Sequence, residues 1–179
     1  MREQDLKKYK QEVETTLAGI KSHRKPDPNF DLQKYIGTHF TVTGLSMPQL
    51  RAAFKHGYSF SHLPLDEQYQ IYKYIYFNSE IFDVLLQALF FNEIYVRQAE
   101  PEFIFNELIE WIDRIDNWAH SDVGWCLRET GLVYPEKTLA FLNQYHHLIT
   151  STAFAAASEK LPVKEKEKLK ALRKKSRKK

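Results

Sequence analysis

Helical periodicity, interrupted at short intervals by proline and glycine, runs through almost the whole chain and restricts its fold more than any other feature. Apolar residues recur every three or four positions in one segment after another, and most segments have a cap or a breaker at their ends. The predicted helices cover approximately Glu3–Ser22, Asp31–Phe40, a segment from Ser46 to Gly57, Pro64–Phe77, Glu80–Tyr95, Pro101–Ile115, a segment ended by Gly131, Pro135–Ile149 and Ala153–Leu161.

Signals for β-strands are almost absent from the sequence. The only β-branched run is Thr41-Val42-Thr43, which Gly44 ends at once, and no Asn-Gly or Asp-Gly hairpin pair occurs. Eight or nine helices joined by short loops predict an all-α fold, an α-solenoid of stacked antiparallel helical pairs with HEAT-like repeats. We expect a single helical-repeat domain over residues 1–163, although the internal period is too irregular to establish repetition.

Basic residues concentrate at the C-terminal end of the sequence. Residues 164–179 contain ten Lys or Arg and two Glu, a balance of +8, so the other residues of this chain of net charge +3 sum to −5. We predict a basic, disordered tail over these residues. Such a tail either attracts polyanions by charge alone or only keeps the chain soluble.

Composition and motifs exclude several classes of protein. The longest apolar run, Val84–Phe91, is too short to cross a bilayer, and the first ten residues contain no apolar signal segment. The single cysteine, Cys126, excludes an internal disulfide and fits a reducing compartment. No GxGxxG, P-loop, HExxH or cysteine pair occurs, so we expect no metal and no small-molecule cofactor. The sequence therefore predicts a monomeric cytoplasmic protein that does not enter a membrane.

The segment DNWAHSDVGWCLRET, residues 116–130, is the strongest candidate for a functional site. If it is helical, Trp118, Asp122 and Trp125 share one face, and Arg128 lies one turn further along it. Indole faces attract cations, a carboxylate neutralises positive charge, and a guanidinium binds an anion, so this set suits a cationic ring next to a phosphate. The alternative is that the tryptophans belong to the core and Asp122 is a cap or a surface charge. From spacing alone this alternative is the more common case.

Several motifs resemble the DNA alkylation repair enzymes, namely the AlkD-like alkylpurine DNA glycosylases of the HEAT-like-repeat type. The motifs are DNWAHSD, GWCLRETGLVYPEKTLAFL, FDLQKYIGTHF and GLSMPQLR, and the resemblance extends from about Phe30 to Leu161. It implies that Asp122 is the catalytic carboxylate and that Trp118 and Trp125 are aromatic walls at the lesion. It also implies that Arg128 contacts a phosphate of the DNA.

One departure from the family pattern lies directly after Asp122. In the family, DNWAHSD and the GW-x-LRE motif lie on different helical pairs, whereas here only Val123 and Gly124 separate Asp122 from Trp125. On the order of 40–80 residues, one or two helical pairs, are absent at this junction, together with an arginine-bearing helix. Either the chain is a shortened variant of the family, or the two motifs occupy one fused helix.

The resemblance implies a function in DNA repair. Members bind duplex DNA on a concave basic face and hydrolyse the N-glycosidic bond of cationic N3- or N7-alkylated purines. The implied partner is duplex DNA containing alkylated purines, and the implied location is the cytoplasm, at the nucleoid. Two alternatives remain: a DNA-binding helical scaffold without activity, and a protein-binding α-solenoid whose tail only confers solubility.

Overall fold

The computed structural model describes residues 1–23, 31, 34, 40–113 and 117–176, with the side chains at 111, 113 and 117–122 excepted. These residues form no β-strand; an isolated bridge joins Thr41 to Ile81. The all-α prediction is therefore confirmed, whereas HEAT-like repetition remains a prediction. Within the described part of the chain the helices are α1 (Glu3–Ala18), α2 (Met47–His56), α3 (Leu65–Asn78), α4 (Phe82–Tyr95), α5 (Pro101–Asp113), α6 (Asn117–Val133), α7 (Pro135–Tyr145), α8 (Ser151–Ala157) and α9 (Val163–Ser176).

Local signals account for most helix ends. The Gln49 side chain accepts hydrogen bonds from the backbone and hydroxyl of Ser46 at 3.2 and 3.0 Å, which fixes the start of α2. Gly57 ends that helix at φ +86°, a conformation that favours glycine. The predicted end at Gly131 is wrong, because α6 continues to Val133. The helix predicted over residues 31–40 lies mostly outside the described residues.

The chain forms two compact units, Met1–Phe91 and Asn92–Lys179, and the single domain expected over residues 1–163 stays a prediction. Periodicity identifies buried positions but does not reveal which of them share a core. In the first unit the ring of Phe60 is completely buried, and its centre lies 5.1, 5.5 and 5.3 Å from those of Tyr9, Tyr58 and Tyr72. Aromatic pairs at such distances add to the stability that burial alone provides.

A buried hydrogen-bond network crosses the same unit. The Tyr58 hydroxyl donates to Gln87 Oε1 at 2.8 Å, and Gln87 Nε2 donates to the Leu50 carbonyl at 3.3 Å. Burial raises the pKa of Tyr58 above its usual range, so the hydroxyl keeps its proton and remains a donor. Gln87 lies on α4, and the apolar run around it, Val84–Phe91, is mostly buried. Among the described residues, no helix combines the length and apolarity that crossing a membrane requires.

The core of the second unit is mostly aliphatic and is organised around α6. Val123 and Leu127 are completely buried, and Cys126 beside them is a buried free thiol. Two helices approach each other closely at Gly124, where an added Cβ would lie 2.5 Å from the carbonyl oxygen and 2.6 Å from the Cα of Ala153. Helix α8 therefore packs on α6 almost backbone to backbone, which only glycine at position 124 allows.

The prediction of a disordered tail is wrong for Val163–Ser176, because these residues form the helix α9. Leu169 is 1% exposed, and the Arg173 guanidinium is buried, with its carbon 4.8 Å from the centre of the Phe154 ring. Arg173 donates hydrogen bonds to the carbonyls of His146 and Ile149, the second at 2.6 Å. One leucine and one arginine thus attach a segment whose overall charge is typical of a disordered tail.

Candidate functional site

Helix α6 carries all four predicted site residues. It runs without a break from Asn117 to Val133, so the two tryptophan-bearing motifs occupy one helix. At 3.6 residues per turn, positions 118, 122, 125 and 128 lie on one side of the helix, and the buried Val123 and Leu127 lie on another. The fused-helix alternative is therefore the one that this structure supports.

The structure describes two of the four side chains. The side chains of Trp118 and Asp122 are not among those that the structure describes, so their predicted roles remain predictions. Trp125 and Arg128 are brought together: the guanidinium carbon of Arg128 lies 4.4 Å from the centre of the indole ring. Such stacking combines cation–π attraction with flat packing of the guanidinium on the indole.

Trp125 is only partly buried, so it is not a core tryptophan of the usual kind. Its indole Nε1 is nevertheless inaccessible to solvent and has no hydrogen-bond partner among the described residues. A buried donor without a partner is uncommon and unfavourable. The indole edge is thus enclosed by protein, while Arg128 covers one of its faces.

The Arg128 guanidinium is paired with two carboxylates, which the sequence did not predict. Its Nε and Nη2 donate to Glu129 Oε1 at 3.0 and 2.6 Å, and its Nη1 donates to Glu159 Oε2 at 3.3 Å. Glu129 is 5% exposed and also lies 3.7 Å from an Arg97 nitrogen, whereas the Glu159 side chain is 47% exposed. The buried partner is therefore a fixed part of the site, and the exposed partner is replaceable by solvent or by another anion.

These pairs determine the charge state of the site. Burial opposes the charged form of Arg128, but Glu129 and then Glu159 outweigh it and raise the pKa of the guanidinium. Lys160 and Arg128 together lower the pKa of the Glu159 carboxyl. Arg128 and Glu159 are therefore both charged at neutral pH.

Sequence reasoning missed both glutamates for different reasons. Glu129 follows Arg128 directly in the LRE motif, but nothing in that spacing indicated that its carboxylate is buried. Glu159 follows α8, 31 residues beyond Arg128. Glu159 reaches Arg128 because α8 packs closely against α6. Gly124 and the alanine-rich segment of α8 allow this packing, but their sequence signals did not predict it.

No curated protein and no solved structure matches this chain. The model of a protein family, described as DNA alkylation repair enzyme, matches residues 16–123, which is more than half of the chain. The match starts earlier than the predicted resemblance and ends one residue after Asp122, so it includes Trp118 and Asp122 but neither Trp125 nor Arg128. The helix-rich architecture agrees with this match, and the chain belongs to the DNA alkylation repair enzyme family.

Proposed function

We propose that this protein is an alkylpurine DNA glycosylase, which hydrolyses the N-glycosidic bond of cationic N3- or N7-alkylated purines in duplex DNA. Asp122 is the catalytic carboxylate, Trp118 is an aromatic wall of the site, and Trp125 and Arg128 contact the DNA. One observation supports this proposal most: the family match contains Trp118 and Asp122, and the same helix continues into the Trp125–Arg128 stack.

The chemistry suits a single carboxylate. Alkylation makes the purine cationic, so when the C1′–N bond breaks its electron pair neutralises the leaving base, and no general acid is needed. Positive charge then develops on the deoxyribose, where a fixed carboxylate stabilises it. Water attacks C1′ and releases a proton to solvent, while the same carboxylate orients that water. Glycosidases with neutral leaving groups need a second carboxylate because they must protonate the departing oxygen.

Arg128 enters this mechanism as a phosphate contact by exchanging one partner. The Glu159 carboxylate is exposed and accepts a single, longer hydrogen bond from Arg128, so a DNA phosphate can replace it with little loss. The buried Glu129 stays in place and holds the guanidinium flat against Trp125. A bound phosphate would then lie beside the indole, one to two helical turns from Asp122.

A second candidate, a DNA-binding scaffold without activity, is favoured by a different observation. Arg128 is already paired with two carboxylates, and the family match ends at Val123, two residues before Trp125 of the stack. On this hypothesis Arg128 serves only to stabilise the unit. Asp122 distinguishes the two candidates, because only a glycosylase requires its charge.

The test is release of free methylated purine from alkylated duplex DNA by the wild-type protein, by Asp122→Asn and by Glu136→Gln. Glu136 is an exposed residue at the start of α7, so its substitution removes the same charge from the same unit and serves as the matched control. We expect Asp122→Asn to release base about 10²–10³ times more slowly, the range typical of losing one preorganised electrostatic group, and Glu136→Gln to match the wild type.

Two results decide against the proposal. Equal rates for the wild type and Asp122→Asn would show that the carboxylate is not catalytic. A wild-type protein that binds duplex DNA but releases no base would favour the scaffold instead. Binding itself should persist in Asp122→Asn, since removing a negative charge lowers the repulsion of phosphates.

A further inference from the structure

A basic groove lies between α8 and α9 in the second unit. It encloses a cavity of about 460 Å³, within the range of small-ligand sites. We call it the lysine groove, because three lysines of α9 line it. Arg173 and residues from α8 and the position directly after it complete the lining. The residues used below are Phe154, Ala155, Lys166, Lys170, Arg173 and Lys174.

The lysines are regularly spaced along the groove. Lys166, Lys170 and Lys174 are four residues apart, so they lie on one side of α9 at intervals of roughly 6 Å along its axis. No carboxylate is among the described residues that line the cavity. Lys170 is paired with Glu167 at 2.9 Å, but both side chains are more than half exposed, and such a surface pair contributes little. The groove thus presents a row of cations that an extended polyanion can neutralise.

Arg173 has a separate role in the groove. Its guanidinium stacks on Phe154 and its N–H groups donate to two backbone carbonyls, so it holds α9 in position instead of offering its charge to a ligand. Ala155 is exposed and lines the groove as an apolar group, whereas the Phe154 ring is buried against the Arg173 guanidinium. A helix attached in this way keeps the lysine row at a fixed place on the second unit.

We propose that the lysine groove binds the phosphodiester backbone of a DNA strand, with Lys166, Lys170 and Lys174 each contacting a phosphate and a sugar lying against the exposed Ala155. The ligand rests on the proposed function, whereas the site is separate from the predicted site residues on α6. Lysine is a point charge without the planar fork that reads bases, so this contact is independent of sequence and of lesion. A membrane surface fits less well, because a helix that lies in a membrane needs an outward apolar face, and α9 buries Leu169 against the protein.

The test uses a triple variant, Lys166→Gln, Lys170→Gln and Lys174→Gln, with undamaged fluorescent duplex DNA titrated at several salt concentrations. Glutamine has a helix propensity similar to that of lysine, so α9 should persist, and far-UV circular dichroism verifies this. We expect the slope of log K against log salt to fall by about 2 to 3 in magnitude, since each lost phosphate contact removes about 0.9.

The same helix provides a matched control, Lys164→Gln, Lys168→Gln and Lys175→Gln. These positions lie on approximately the opposite side of α9 and do not line the groove, but their substitution removes the same charge. We expect the salt slope of this variant to change by less than one. An equal fall in both triple variants would overturn the proposal, because it would show attraction by net charge alone.

Two further outcomes also overturn the proposal. One is that the groove variant gives the same slope of log K against log salt as the wild type. The other is binding of the wild type to vesicles containing phosphatidylserine more tightly than to duplex, with only vesicle binding lost in the groove variant. Because the duplex carries no lesion, the outcome is independent of base release. If the protein shows the expected slopes but releases no alkylated base, the proposed glycosylase activity is refuted and DNA binding by the lysine groove is still supported.

Discussion

Each of the two compact units is stabilised internally by a different kind of contact. In the first unit, Phe60 fills the centre of a cluster of large rings, whereas in the second, Gly124 lets α6 and α8 approach until almost no side chain separates them. A core of large groups is sensitive to the removal of atoms, and a close helix crossing is sensitive to their addition. The second kind of contact also sets the site, since Glu159 follows α8 and reaches Arg128 on α6.

This contrast agrees with where the predicted site residues lie. All four predicted site residues and the lysine groove belong to the second unit, and the family match covers residues 16–91 of the first unit but only the start of the second. The first unit is a packed body with a buried polar network around Gln87. The second unit combines Trp118 and Asp122, which lie within the matched stretch, with charged groups that lie beyond it.

The largest expected effect is in the first unit. Phe60→Ala should destabilise the protein by about 3–5 kcal/mol, because it leaves a cavity among three rings. Urea unfolding followed by far-UV circular dichroism measures the loss. The control is Phe77→Ala in the same unit, where the residue is 36% exposed and the loss should be clearly smaller. Similar losses in both variants would show that Phe60 is not the centre of this core.

A change of the opposite kind should damage the second unit. Gly124→Ala adds one methyl group that would lie within 2.6 Å of two backbone atoms of Ala153, so α8 must move. We expect a loss of about 1–3 kcal/mol, the usual cost of overpacking. All three tryptophans, at positions 111, 118 and 125, lie in this unit, so their fluorescence during urea unfolding reports on it alone. An unchanged midpoint would mean that the two helices are not in close contact.

The sequence predicted what is local and missed what depends on packing. Pro101 and Pro135 begin helices and Ser46 and Gly57 bound one, because caps and breakers act within a few residues. The prediction of a disordered tail was wrong because it followed from the charge composition of the segment. The burial of Leu169, which attaches the segment, depends on a surface elsewhere in the chain. The pairing of Arg128 with Glu159 was missed for the same reason.

The smallest expected effect lies seven residues further along α6, at Gly131, and it should have the opposite sign. This glycine was predicted to end the helix, but it lies within it, and an added Cβ would meet the Thr138 methyl at 3.5 Å, an ordinary contact distance. Alanine is about 1 kcal/mol better than glycine inside a helix, so Gly131→Ala should stabilise the second unit by about 0.5–1 kcal/mol. The same tryptophan fluorescence measures the shift. Because both variants add an identical methyl group to the same helix, any difference between Gly124→Ala and Gly131→Ala comes from what each methyl meets. Destabilisation at both positions would mean that α6 rejects alanine in general and that the close approach of Ala153 is not the cause.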